Sequence, residues 1–364
     1  MNEVSFRKWK QQMVGFSKAT RTPICATFEL TPRCNLDCKM CYVHNQDSNG
    51  LREKELTTET WKRIFDEAYD SGMLFATLTG GECLLRQDFK ELYLHLWNKR
   101  VYITVLTNGI LLNEDYIEFL KTYKPRMIQI SLYGSNEACY LKVTGHRGFT
   151  QVVTAIQRLR DEGINIEVAL TPSSYMKDDY IALLRYCKEN GFRYKPGEFM
   201  LMGNRENVEK ADHYIEIDEI VKLSKERALL SKELMPMKEK VPESGGGCTV
   251  SPKGLQCNAG KTSTVVSWDG RMFPCIAIPE SQASVLEMPY AEAWEKTKGL
   301  SDEIQLGAEC VGCPYDKVCP KCPAIRLSSL HSGHCNPNVC EVTRKLVAAG
   351  VKKLETAKET HCDE

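Results

Sequence analysis

The chain has 364 residues, and its 48 Lys and Arg side chains balance 48 Asp and Glu, so the formal net charge is zero. This length allows an α/β barrel and a second domain, while the charge balance and the lack of a long apolar run exclude nucleic-acid binders and membrane-spanning proteins. The start of the chain does not resemble a signal peptide, so we expect a cytoplasmic protein whose 17 cysteines serve metal or redox chemistry rather than disulfides.

Strand-like apolar runs alternate with amphipathic helical segments in the first two hundred residues. The predicted strands are 26–30, 74–78, 102–106, 127–132, 165–170 and 193–199, and the predicted helices between them are 58–69, 89–99, 114–121, 152–161 and 180–189. Repeated βα units indicate a parallel sheet with right-handed crossovers. Because six units are too few to close an eight-stranded barrel, we predict an α/β fold with a partial (β/α)6 TIM-like barrel that is open on one side.

A polar helical stretch and the run Gly245-Gly246-Gly247 separate this region from a segment with many cysteines and little periodicity. A closing helix is expected near 342–358. Such a segment has little apolar core, so we expect it to fold around metal. The predicted boundaries are an N-terminal extension at 1–24, the barrel at 25–216, a helical linker at 217–247, a cysteine-rich domain at 248–345, and a C-terminal helix and tail at 346–364.

Three cysteines, Cys34, Cys38 and Cys41, follow the first predicted strand with the spacing C-x3-C-x2-C. This places them at the C-terminal mouth, where barrel active sites lie. Three thiolates leave one iron of a [4Fe–4S] cluster free to bind a substrate. The motif resembles that of the radical S-adenosylmethionine (SAM) superfamily, in which the reduced cluster cleaves SAM to a 5′-deoxyadenosyl radical that abstracts hydrogen. A zinc site with a distant fourth ligand is the alternative.

Short motifs at the ends of the next three predicted strands strengthen this resemblance. It implies that SAM is bound by Gly80, Gly81, Glu82, Asn108 and Ser131. The glycines would let the backbone approach the ligand, and the Glu82 carboxylate would bind the amino group of SAM. Candidates for the partner of the SAM carboxylate are Lys142, Thr144 and Arg147. Cys83 follows the Gly-Gly-Glu motif, and we expect it to pack rather than to face the reaction chamber.

The later cysteines resemble a SPASM domain, although the gap between Cys319 and Cys322 is one residue shorter than usual. The resemblance implies two auxiliary [4Fe–4S] clusters. Their ligands would be Cys248, Cys257, Cys275 and Cys322 for one, and Cys310, Cys313, Cys319 and Cys340 for the other. Cys335 is the alternative to Cys340 as the last ligand. A pair of structural zinc ribbons is the competing interpretation of these cysteines.

The resemblance implies an enzyme that oxidatively modifies, and by preference crosslinks, a side chain of a ribosomally made peptide or protein. The alternatives are a maturase of sulfatases or cofactor precursors and, more remotely, a non-catalytic iron–sulfur electron carrier. The implied partners are the peptide and an electron donor such as flavodoxin or ferredoxin. About two dozen residues precede the first predicted strand, too few for a leader-binding domain. We therefore expect either a separate leader-peptide-binding protein or recognition by the chain's own two domains.

Overall fold

The computed structural model describes residues 3–41, 51–197, 214–234, 257–278, 283–320, 322–327 and 334–354. Contacts group the chain into two units. The first consists of Met1–Tyr214 and Cys257–Glu303, and the second of Ile215–Gln256 and Ile304–Glu364. No helix within the described ranges is long and apolar enough to cross a membrane.

The first unit contains nine strands and eight helices among the described residues. The strands are β1 (Cys25–Glu29), β2 (Phe75–Thr79), β3 (Tyr102–Thr107), β4 (Met127–Ser131), β5 (Ile166–Leu170), β6 (Tyr194–Pro196), β7 (Ser263–Val266), β8 (Arg271–Phe273) and β9 (Ala283–Ser284). The helices are α1 (Glu3–Thr20), α2 (Thr58–Asp70), α3 (Phe89–Asn98), α4 (Glu114–Thr122), α5 (Glu137–Thr144), α6 (Phe149–Asp161), α7 (Tyr180–Glu189) and α9 (Tyr290–Glu303). All six predicted strands are thus confirmed, within a few residues at their ends.

The strands form one open sheet in the order β6-β5-β4-β3-β2-β1-β7-β8-β9. Strands β1 to β6 are parallel, as βα repeats require, and β7 pairs parallel with β1 on its other edge. Helices cover the sheet through close aromatic contacts; the rings of Phe28 in β1 and Phe65 in α2 lie 4.7 Å apart. The predicted partial barrel is therefore confirmed, and the sheet formed by the described strands is open.

Residues beyond 257 contain more regular structure than their sequence indicates. Strands β7, β8 and β9 have only two to four residues, which is too short to show a periodic pattern. Helix α9 was also missed. Hydrogen bonds fix this segment to the barrel: the Tyr290 N–H donates to Glu67 Oε2 at 2.8 Å, and the Trp294 indole donates to the Arg21 carbonyl at 2.8 Å. Contacts thus assign 257–303 to the barrel unit, whereas the predicted cysteine-rich domain begins at 248.

The N-terminal extension forms helix α1, and this helix packs on the barrel. Phe6 and Trp9 of α1 pack on Tyr102 of β3, with ring centroids 5.1 and 5.6 Å away. An aromatic cluster of this kind contributes buried area and oriented ring contacts to stability. Helix α1 therefore belongs to the barrel unit.

The second unit contains helices α8 (Ile217–Leu234), α10 (Pro323–Arg326) and α11 (Pro337–Ala348). Lys345 of α11 forms an ion pair with Asp218 of α8 at 2.7 Å. The closing helix was expected at 342–358, but it begins at Pro337, where the Asn336 side chain accepts from the Asn338 N–H as an N-cap. The expected start was wrong because this capping signal was not weighed. The expected end was also wrong, because the helix ends at Ala348, two residues before Gly350 with its φ of +70°.

Gly260 provides a test of the junction between the barrel and α9. Its φ of +63° lies in the left-handed region, and an added Cβ would overlap the side chain of Ser301. We expect Gly260→Ala to lower the free energy of unfolding by about 2 kcal/mol or more. In α9, Gly299→Ala adds the same methyl group in open space and should stabilise by about 0.5–1 kcal/mol. Urea denaturation measures the free energy of unfolding of both variants. Equal changes in the two variants would contradict the packing of Gly260 against Ser301.

Candidate active site

The loop that carries the first three cysteines continues the pairing of β1 with β2 beyond the ends of both strands. The Leu30 N–H donates to the Thr79 carbonyl at 2.8 Å, and the Gly81 N–H donates to the Thr31 carbonyl at 2.8 Å. The Glu82 N–H then donates to the Arg33 carbonyl at 2.7 Å. The residue before Cys34 is thereby fixed against the Gly-Gly-Glu segment.

The two glycines make this approach possible. An added Cβ would overlap the Thr31 carbonyl oxygen at Gly80 and the Arg33 carbonyl oxygen at Gly81, and Gly80 also has a φ of +142°. The sequence interpretation gave these glycines the task of letting the backbone approach SAM. In the structure they let one loop approach the other, so their immediate function is to position the cysteine loop.

Cys34, Cys38 and Cys41 are half-buried and interact electrostatically with one another. Burial raises the pKa of Cys34 to about 11, and burial together with the neighbouring thiols raises the pKa of Cys38 further. A short turn joins two of them, since the Cys41 N–H donates to the Cys38 carbonyl at 3.0 Å. Iron binding requires thiolates, so assembly of a cluster here must release protons.

Glu82 is fully buried behind this loop, at 1% exposure. Its carboxylate accepts from the Asn108 N–H at 2.7 Å, the Thr107 hydroxyl at 2.9 Å and the Leu84 N–H at 3.1 Å. Burial raises the pKa of Glu82, and these donors partly oppose that effect. These three donors and the Cys83 thiol, whose Sγ lies 3.9 Å from Oε1, leave acceptor capacity on the two oxygens, so a buried ammonium group is a chemically suitable partner for them.

Asn108 connects the end of β3 to the cysteine loop. Its Nδ2 lies 2.8 Å from Asn35 Oδ1 and 3.7 Å from the Sγ of Cys34, while its Oδ1 accepts from the Ile110 N–H at 3.0 Å. The structure therefore brings Gly80, Gly81, Glu82 and Asn108 together with the three cysteines.

Ser131, at the end of β4, hydrogen-bonds to the hydroxyl of Tyr133. Burial raises the pKa of Tyr133, and the thiols of Cys38, Cys41 and Cys34 raise it further. Tyr133 was not singled out from the sequence. The available signal was its place within Ser131-Leu132-Tyr133-Gly134, directly after a strand end.

The end of α5 supports the far side of the cysteine loop. The Asp37 N–H donates to the Thr144 carbonyl at 2.9 Å, and the Lys39 N–H donates to the Val143 carbonyl at 3.1 Å. The Thr144 hydroxyl is buried and bonds the carbonyls of Tyr140 and His146, so it serves the helix end. The other two candidates for a carboxylate partner, Lys142 and Arg147, are exposed.

Two features near the Gly-Gly-Glu segment are structural. Cys83 is fully buried, with its Sγ 3.4 Å from the Leu106 carbonyl, as the expected packing role requires. Arg33 makes two bonds to Glu55, at 2.6 and 3.0 Å, and Glu55 also accepts from the Thr31 hydroxyl. This arginine–carboxylate pair was missed, because Arg33 and Glu55 are far apart in sequence. It anchors the residues just before Cys34.

In the second unit, four cysteine thiols form one neighbourhood. Cys335 hydrogen-bonds to Cys310 and interacts with Cys340, and these contacts together with burial raise its pKa. Cys319 interacts with Cys310 and Cys340, and it hydrogen-bonds to Thr343. Three of the four predicted ligands of one auxiliary cluster thus lie together, and the alternative ligand Cys335 lies with them.

The other predicted auxiliary set is described only in part. Cys257 precedes β7 and Cys275 follows β8, both in the first unit, whereas Cys322 belongs to the second unit and Cys248 lies outside the described residues. Gly270 has a φ of +84° in the turn between β7 and β8, and an added Cβ would lie 2.6 Å from the Leu286 side chain. This turn is the physical reason for glycine within the Cys257 to Cys275 motif.

No three His, Cys, Asp or Glu side chains of the described residues converge as ligands of a single metal ion. Ligands of a [4Fe–4S] cluster each bind a different iron, so they stand further apart than ligands of one ion. Three neighbouring thiols on a fixed loop, an amide donor beside one sulfur and a buried carboxylate suit a cluster with SAM on its free iron.

We expect Gly81→Ala to lose the barrel cluster, because the methyl group would displace Arg33 and the cysteine loop behind it. Iron and sulfide measured after anaerobic reconstitution should fall by about four atoms each per chain. Gly15→Ala in α1, where nothing lies within 4 Å of the added carbon, is the matched control and should keep full iron. If the Gly81→Ala variant kept its full iron content, the close approach of position 81 to the Arg33 carbonyl would not be what holds the cysteine loop.

Comparisons with known proteins agree with this geometry. Residues 28–177 match the Radical SAM superfamily. The chain is 26% identical over 324 residues to the AdoMet-dependent heme synthase of Methanosarcina barkeri, covering 84% of this chain and 92% of that protein. It is 26% identical over 339 residues to the subtilosin biosynthesis protein AlbA of Bacillus subtilis, covering 87% and 70%.

The fold is similar to the crystal structure of Streptococcus suis SuiB bound to precursor peptide SuiA. The TM-score is 0.69 at 16% identity, covering 93% of this chain and 82% of that one. The matched region starts in β1 and includes the cysteine loop, the Gly-Gly-Glu segment and the ends of β3 and β4. Residues 28–177 of the chain are therefore a radical SAM domain.

Proposed function

We propose that this enzyme reductively cleaves SAM, abstracts a hydrogen atom from a ribosomally made peptide and oxidatively modifies, most simply crosslinks, the peptide side chain. The observation that carries the proposal is the buried site behind the cysteine loop, combined with similarity to a bacteriocin biosynthesis protein over 87% of the chain. SuiB, which has a similar fold, has been crystallised with its precursor peptide.

The barrel residues have distinct tasks in this proposal. Cys34, Cys38 and Cys41 hold the cluster, which when reduced supplies the electron that splits SAM. The Asn108 amide beside Cys34 orients that thiolate. The Glu82 carboxylate accepts hydrogen bonds from the amino group of SAM. The Ser131 hydroxyl, which hydrogen-bonds to Tyr133, would bind the ribose and methionine portions of SAM. Gly80 and Gly81 let the cysteine loop lie against the Gly-Gly-Glu segment, which fixes the cysteines relative to Glu82.

The C-terminal cysteines would hold two auxiliary clusters in a SPASM arrangement. A substrate radical must lose an electron for a new bond to form oxidatively, and these clusters would accept it. Cys257 and Cys275, with Cys248 and Cys322, would bind one cluster. Cys310, Cys313 and Cys319, with Cys340 or Cys335, would bind the other. The grouping of four of these thiols in the second unit supports the latter set.

A second function is favoured by one observation. The AdoMet-dependent heme synthase of M. barkeri matches this chain over 92% of its own length, so a small-molecule substrate such as a cofactor precursor is the competing candidate. Both functions use the same barrel chemistry. They differ in which molecule donates the hydrogen atom.

Two protein partners complete the proposal. An electron donor such as flavodoxin or ferredoxin would reduce the barrel cluster, because SAM cleavage consumes an electron. Peptide recognition would use either a separate leader-binding protein or the chain's own surfaces. A strand edge of an open sheet can pair with an extended peptide by β-augmentation.

The cluster assignment predicts about twelve irons per chain after anaerobic reconstitution. Replacing Cys34, Cys38 and Cys41 by alanine should remove about four irons and abolish formation of 5′-deoxyadenosine, while the remaining iron stays. Cys313→Ala with Cys319→Ala is the converse control, which should retain some uncoupled SAM cleavage and stop product formation. Only about four irons in the native chain, with zinc in place of the rest, would disprove the auxiliary clusters.

The substrate class is tested by mass spectrometry of a short peptide encoded beside the enzyme and co-expressed with it. An oxidative crosslink removes two hydrogen atoms, so we expect a mass loss of about 2 Da. Deuterium should pass from one labelled side chain into 5′-deoxyadenosine, because that hydrogen is the one abstracted. Label transfer only from a cofactor precursor, with the peptide unchanged, would establish the competing function.

A further inference from the structure

Arg326 is a buried cation in the cysteine-bearing second unit. It is the last residue of α10 and is only 3% exposed. A guanidinium stays charged at any physiological pH, and burying a charge is strongly unfavourable unless its surroundings compensate. The groups around Arg326 must therefore stabilise a positive charge.

One compensating group is Asp316, whose Oδ1 accepts from a terminal nitrogen of Arg326 in an ion pair. Asp316 lies in the loop between Cys313 and Cys319, so this pair fixes the loop to α10. Among the residues that the structure describes, the buried Nε of Arg326 has no hydrogen-bond partner. Leaving such a donor unsatisfied is costly, which indicates that a further acceptor belongs beside it.

The other neighbours of Arg326 are cysteines. The guanidinium interacts electrostatically with Cys319 and Cys310. Its backbone N–H donates to the Cys322 carbonyl at 3.0 Å, and its carbonyl accepts from the N–H of Asn336, the N-cap of α11, at 2.8 Å. Arg326 thus joins the segments that carry these ligands, and its charge interacts with two of the thiols.

We propose that Arg326 is a positioning residue that raises the reduction potential of the auxiliary cluster held by Cys310, Cys313, Cys319 and Cys340 or Cys335. The inference rests on the proposed function, because it requires that cluster. Charge and hydrogen bonds near the cluster sulfurs are among the main determinants of its potential. Reduction adds negative charge at a site of low dielectric, so a buried cation stabilises the reduced state more than the oxidised one.

Asp316 does not cancel this effect. Its carboxylate holds a terminal nitrogen of the guanidinium, while the same guanidinium interacts with Cys310 and Cys319. The charge of Arg326 therefore acts on these thiols as well as on the carboxylate. A raised potential suits a cluster that accepts an electron from a substrate radical.

The test is a potentiometric titration followed by electron paramagnetic resonance in the full chain carrying Cys34→Ala, Cys38→Ala and Cys41→Ala, so that only auxiliary clusters contribute. Arg326→Gln removes the charge and keeps an amide donor. Arg326→Lys keeps the charge. Lys317→Gln removes the same charge from an exposed position next to Asp316 and is the matched control. Iron is counted in every variant first.

We expect Arg326→Gln to weaken reduction of one auxiliary cluster at least tenfold, a negative shift of about 59 mV for one electron. Arg326→Lys should shift the reduction potential of this cluster less, and Lys317→Gln should leave that potential unchanged. If Arg326→Gln loses iron, retention of the cluster near its native potential in Arg326→Lys still supports the role of charge.

Two results overturn the inference. One is that the Arg326→Gln variant has its full iron content and that its auxiliary clusters keep their native reduction potentials. The other is loss of the cluster in both Arg326 variants, which would assign the side chain to packing of the loop. Absence of auxiliary iron in the parent protein would instead refute the cluster assignment in the proposed function, so the two failures are distinguishable.

Discussion

The arrangement of the active site depends on the contact between two backbones at the ends of β1 and β2. The N–H groups of Gly81 and Glu82 bond the carbonyls of Thr31 and Arg33, and side chains at positions 80 and 81 would overlap those carbonyls. Sheet pairing is thereby extended past the strand ends into the cysteine loop. Because Cys34 follows at once, the geometry of the sheet determines where the first thiol lies.

Electrostatics reinforces that placement. The Glu82 carboxylate is buried and collects donors from the end of β3 and from its own turn, so it joins two neighbouring strand ends. Asn108 then extends from the same strand end to the cysteine loop. On the opposite side of the loop start, Arg33 is held by Glu55. The loop is therefore fixed by groups from β2, β3 and the segment before α2, rather than by its own short turns.

The strands and most barrel helices could be predicted because each is long enough to show its period, and the motifs could be located because barrel sites lie at strand ends. Strands β7 to β9 could not be predicted, since strands of two to four residues are too short to show a periodic pattern. Tyr133 and the Arg33–Glu55 pair were missed for another reason: their importance arises from contacts between segments distant in sequence. The spacing could not decide between Cys335 and Cys340 as the last ligand. In the structure Cys335 interacts with Cys310 and Cys340, and Cys319 interacts with Cys340 and Cys310, so both candidates lie in one group of thiols.

The pairing of β7 with β1 has a consequence for biosynthesis. Strand β7, which covers the second edge of β1, begins more than two hundred residues after β1 and is therefore synthesised much later. During that interval the nascent sheet presents an unpaired edge, the kind of surface on which chains associate wrongly. Native pairing here also closes a very long loop, which slows folding relative to the local βα units. The second edge of β1 therefore stays unpaired in the nascent chain until β7 has been translated.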